Sequence, residues 1–142
     1  MSLPTLAWKP KRGTSMFSRK NEVAANVALG LGVFSVALGA LEVWKGAELA
    51  RGLGLKGWSR LVRGYGVREI AAGAGILASP ALGLPLWPWL WARLAGDALD
   101  LATLGAGLSG GNRHRKNVVI ALALVAPVVA LDIWCARELK NE

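Results

Sequence analysis

Three ionisable residues, Arg93, Asp97 and Asp100, interrupt an otherwise apolar stretch, WLWARLAGDALDLATLGAGL, at residues 89–108. A charged side chain at the centre of a bilayer costs about 3 kcal/mol or more, so three on one apolar helix call for a physical reason. Their spacing supplies one. At roughly 100° per residue they fall within an arc of about 60°, joined by Trp89, Gly96 and Leu104. The opposite face holds Trp91, Ala95, Ala98 and Ala102. One stripe of the helix is therefore charged and the other tolerates lipid. A charged stripe of this kind faces protein or a wet cavity, and an Arg93–Asp97 pair four residues apart would relieve part of the cost.

The same chemistry recurs in the other apolar runs. Arg68 and Glu69 lie in one, Asp132 in another, and Glu42 near the end of a third. Arg68 and Arg93 are the cations well inside these runs, and the acids outnumber them. An unpaired carboxylate in a medium of low dielectric binds a proton or a counter-ion. The surplus thus implies protonated acids, an inward reach by Arg63 or Lys45, a bound cation, or charge from another chain. Three roles follow for the intramembrane network Arg68, Glu69, Arg93, Asp97, Asp100, Asp132 and Glu42. It can lock helices in register, relay protons, ions or a small solute, or dock a partner subunit.

These residues must be held by apolar helices. Hydrophobic residues make up 54% of the 142-residue chain and the mean hydropathy is +0.40. Charged residues are 18%, below the roughly 25% of soluble proteins. Four spans are expected, at about 23–44, 61–79, 86–108 and 118–136, each near the length needed for a hydrocarbon core of about 30 Å. Pro80 closes the second, Pro88 sits in the first turn of the third, where proline is tolerated, and Pro127 should kink the fourth. The fold class is therefore all-α: a polytopic membrane protein with four transmembrane helices in an up-down bundle spanning residues 23–137. A basic tail precedes it at 1–22, an interfacial segment lies at 45–57, and a short tail follows at 138–142.

Helices in lipid associate through small residues and polar contacts. Gly32, Ser35 and Gly39 form a small face on the first span, and Gly64 and Gly75 belong to one on the second. Tryptophans collect at membrane–water boundaries. An up-down bundle puts Trp44 and Trp58 at one boundary and Trp87, Trp89, Trp91 and Trp134 at the other; Trp8 remains in the tail. The net charge of +8 flanks the spans, as anionic lipid headgroups require. Once the spans are removed, no basic fold remains for nucleic acid. Positive residues are nearly balanced between the two sides. The cluster Lys9, Lys11, Arg12, Arg19 and Lys20 before the first span favours cytoplasmic termini.

GVREIAAGAGIL at 66–77 and WLWARLAGDALDL at 89–101 carry a family resemblance. The chain resembles small four-helix bacterial inner-membrane proteins of unknown function. It is also similar to the membrane half of some cyclase/dehydrase-like proteins, where the helices precede a soluble lipid-binding-type domain. The resemblance covers residues 23–137 and implies that Arg68, Glu69, Arg93, Asp97 and Asp100 form the polar core. With the sequence ending at Glu142, that soluble domain and its activity are expected to be absent.

Catalytic signatures are missing from the sequence. The one histidine, His114, lies in a basic loop, and the one cysteine, Cys135, is expected to fill space in a helix. No metal-binding Cys/His spacing, phosphate-binding glycine loop or nucleophile motif appears, so no enzyme, metal or cofactor is expected. The leading expectation is a non-catalytic accessory subunit docked to a protein partner or to a second copy in the membrane. An ion or solute pathway is the alternative. A lipid, quinone or pigment held against Trp89 and Tyr65 is the third.

Overall fold

The computed structural model describes the backbone of residues 15–140 and the side chains of residues 19–140. Trp8, Lys9, Lys11 and Arg12 lie outside the described residues. The described chain is all-α, with four helices: α1 Ser15–Gly52, α2 Ser59–Leu82, α3 Trp87–Ala106 and α4 Arg115–Lys140. Each helix packs on its sequence neighbours, and α4 returns to α1, so the four close into a ring.

The helix boundaries differ from expectation where local physics outweighs composition. α1 starts eight residues before the apolar run and carries Arg19 and Lys20 on its first turns. It also continues through most of the expected interfacial segment, to Gly52. The break there is only a kink: Lys45 has φ −108° and ψ 20°, outside the helical range. Gly46 follows it, and glycine is the residue that most readily gives up helical geometry. Pro80 does not close α2, which runs to Leu82 and ends at Gly83, φ 64°, a left-handed conformation that glycine adopts without strain. Pro88 opens α3 as expected, and α4 remains a continuous helix through Pro127.

The α1–α2 pairing explains the glycines. Gly32 and Gly39 on α1 face Gly73 and Gly66 on α2, in antiparallel register. A Cβ on Gly66 would lie 2.6 Å from the Gly39 carbonyl oxygen, and one on Gly73 would lie 2.6 Å from that of Gly32. The backbones touch, so no side chain fits between them. The expected packing face is corrected here. Gly64 points away, with open space beyond it, and Gly75 meets the Trp89 ring of α3 instead of α1. Sequence periodicity alone missed Gly66 and Gly73, which lie two positions, about 200° around the helix, from Gly64 and Gly75.

Apolar packing fills one end of the bundle. Ala24, Ala28 and Leu31 of α1, Ile76 of α2, Leu90 of α3 and Cys135, Ala136 and Leu139 of α4 form a single buried cluster. The opposite end is closed by two connections. Asn112 Nδ2 donates to the carbonyls of Leu53 (3.0 Å) and Gly107 (2.6 Å), and its Oδ1 accepts from the His114 backbone N–H (2.9 Å). Asn117 Nδ2 donates to the Gly52 carbonyl at 2.8 Å. Between the apolar plug and this clasp lies the charge.

Candidate functional site: a buried guanidinium–carboxylate network

Arg93 is the centre of the network. It lies about a third of the way along α3, 1% exposed. Its Nε and Nη2 donate to the two oxygens of Asp132 on α4, both at 3.0 Å, a two-point clamp that matches guanidinium to carboxylate. Its Nη1 donates to Glu69 Oε2 on α2 at 2.9 Å. One side chain thereby ties three helices. The expected Arg93–Asp97 pair along α3 does not form, because the guanidinium finds better-placed acceptors across the bundle.

Glu69 is the hub for the remaining helices. Its Oε1 accepts from Arg68 Nη2 at 2.8 Å, and the Ser35 hydroxyl of α1 faces its carboxylate and also its carbonyl oxygen, the latter at 2.8 Å. Ser35 was expected only as a small packing residue. Its place between Gly32 and Gly39 brings it onto the acid, and this is how α1 joins the network. Arg68 Nη2 also donates to Asp100 Oδ2 of α3 at 3.0 Å, and the Arg68 guanidinium lies over the Tyr65 ring and against Gly96. Next to it, the Tyr65 and Thr103 hydroxyls form a 2.7 Å hydrogen bond between α2 and α3. That bond was not anticipated from the sequence, because it depends on the interhelical register.

The remaining acids are less well served. Asp97 is buried and abuts the Asp132 carboxylate. Its Oδ2 has no hydrogen-bond partner, nor has Asp100 Oδ1 or Glu42 Oε2. Glu42 lies beside Gly66 at the α1–α2 contact. The cations offered from outside do not reach in. Lys45 pairs with Glu48 at 3.4 Å, and Arg63 is exposed, its stem lying on Gly46.

Of the tryptophans read as boundary anchors, Trp44, Trp58, Trp87, Trp91 and Trp134 are exposed. Trp89 is corrected: it turns inward onto Gly75 and the apolar cluster. Tyr65 and Trp89, considered as walls for a bound molecule, are both engaged in helix contacts. His114 lies exposed in the connection before α4, and Cys135 is wholly buried in the apolar cluster.

Comparisons with models of known families, with curated proteins and with solved structures find no match. The resemblance carried by residues 66–77 and 89–101 therefore assigns no family, and the functional reading rests on geometry.

Proposed function

We propose that this chain is an integral membrane protein whose four helices all cross the bilayer, and that it serves as a non-catalytic accessory subunit of a larger membrane assembly. One observation carries the membrane reading: the polarity of the fold is inverted. Arg93, Glu69 and Asp132 are among its largest fully buried side chains, while Val33, Phe34, Val67, Leu99, Leu124 and Trp44 are exposed. Soluble domains seldom bury ionised groups or expose apolar surface on every helix.

Two helices, α1 and α4, are long and apolar enough to cross a membrane, with mean hydropathies of 1.9 and 2.5 over their most apolar stretches. α2 and α3 score lower because hydropathy counts every residue of a helix, including charges that face inward. Glu69, Arg93 and Asp97 are at most 5% exposed, so around the middle of α2 and α3 lipid would meet Val67, Leu77, Trp91 and Leu99 among small residues, with Arg68 and Asp100 partly exposed at the α2–α3 flank. That outward surface supports the reading of four spans. A bacterial inner membrane with cytoplasmic termini suits helical spans and a basic N-terminal stretch.

Docking is supported by small residues that the bundle leaves unused. Gly64, Ala71, Ala74 and Ala78 on α2, and Ala95, Ala98, Ala102 and Gly105 on α3, are all exposed. Small outward faces allow another transmembrane helix to approach closely. Mass measurement of the protein extracted in mild detergent tests this: a complex with a protein partner or a second copy is expected, and a lone chain overturns the accessory role.

A further inference from the structure

Glu69 on α2 and Asp97 and Asp100 on α3 each bring one carboxylate oxygen into a common space, all within 4.8 Å of one another. Acids often cluster without binding anything. Here a second observation points to a missing partner: Asp97 is 5% exposed, and its Oδ2 is buried with no hydrogen-bond partner. Asp100 Oδ1, three residues along the same face, is in the same state. Leaving a buried acceptor unmade forfeits its hydration without return. Asp97 meets Asp132 side chain to side chain, which leaves Oδ2 as its unserved oxygen.

Formal charge points the same way. Glu69, Asp97, Asp100 and Asp132 outnumber the guanidinium groups of Arg68 and Arg93, so acids are in excess around the cluster. We propose that Glu69, Asp97 and Asp100 form a binding site for a hard divalent cation of the calcium or manganese class, held between α2 and α3. The donors are all oxygen, with no histidine or thiolate among them, which favours such ions over zinc or copper.

Arg68 is the group that yields to the ion. Only its Nη2 makes hydrogen bonds to acids, and its Nε and Nη1 are buried without partners. Its side chain is 25% exposed and that of Asp100 18% exposed, so the cluster can be reached from the α2–α3 flank. The site does not depend on the accessory role, since a lone chain in detergent would still contain all three acids.

Manganese binding to the full chain, purified in detergent and stripped with chelator, tests the proposal by electron paramagnetic resonance. Stoichiometric loss of the free Mn2+ signal is expected, reversed by calcium. Asp97→Asn and Asp100→Asn should each weaken binding by about tenfold or more, and Glu48→Gln, outside the cluster, should leave it unchanged. A second measurement needs no variant: calcium should raise the thermal unfolding midpoint of the wild-type protein. Wild-type protein that binds no Mn2+ above the detergent blank overturns the site. So does unchanged affinity in folded Asp97→Asn and Asp100→Asn proteins, or a wild-type midpoint that calcium does not move.

Discussion

Replacing Asp132 by asparagine should be among the most damaging single changes in this fold. The wild-type carboxylate takes two hydrogen bonds from Arg93, both partners being at most 1% exposed. Asparagine keeps the shape but loses the charge, and its amide nitrogen offers a donor where Arg93 needs an acceptor. Breaking a buried ion pair by removing one partner costs about 3–5 kcal/mol. Glu69 remains on Arg93 Nη1, so the lower end of that range applies, about 3 kcal/mol, or roughly a 150-fold shift in the folding equilibrium. The double variant Arg93→Met/Asp132→Leu tests the reasoning further. It removes both charges together and fills their volume with apolar atoms, so it should recover most of the loss, because Glu69 retains Arg68 and Ser35. Reversible unfolding in mixed micelles, followed by circular dichroism, measures both. Asp132→Asn within about 0.5 kcal/mol of wild type, or a double variant no more stable than the single one, would refute the argument.

Contacts elsewhere make four further predictions. Gly66→Ala should destabilise the bundle by about 1–3 kcal/mol, since its Cβ would lie 2.6 Å from the Gly39 carbonyl oxygen. Gly64→Ala, facing open space, should be neutral or slightly stabilising in the same unfolding assay. Asn112→Ala removes the clasp between the α1–α2 and α3–α4 connections, and hydrogen exchange at residues 53–58 should accelerate while the α2 core stays protected. In single-tryptophan proteins reconstituted into vesicles, headgroup-level quenchers should dim Trp44 and Trp58 strongly and Trp89, packed on Gly75, only weakly.

Much of this arrangement could be read from residue order. Four helices, a proline-opened α3 and the inward stripe of Arg93 and Asp97 follow from apolar run length and from the geometry of a single helix. What escaped depends on how two helices meet. Arg93 has a candidate partner four residues along its own helix, but it pairs with Asp132 and Glu69. Sequence spacing cannot rank a local acceptor against one whose position depends on register. Gly64 and Gly66 differ by two positions, and only the antiparallel match of Gly66 with Gly39 selects between them. The start of α1 was placed too late because the residues at 15–22 were read as tail; after Trp44 the non-helical Lys45 divides the helix, and residues 46–52 are the helical part of the segment read as interfacial.

The central claim is that α2 and α3 cross the membrane with their charges turned inward. It is tested most directly by single cysteines at Lys56, Leu84 and Arg113, all exposed and all in connections between helices. They would be introduced in a Cys135→Ala background and labelled in intact cells with a membrane-impermeant thiol reagent. Four spans place Leu84→Cys on the side opposite Lys56→Cys and Arg113→Cys, so the label should reach either the first alone or the other two alone. If only α1 and α4 span, all three cysteines share one side. A common pattern at the three positions would contradict the account.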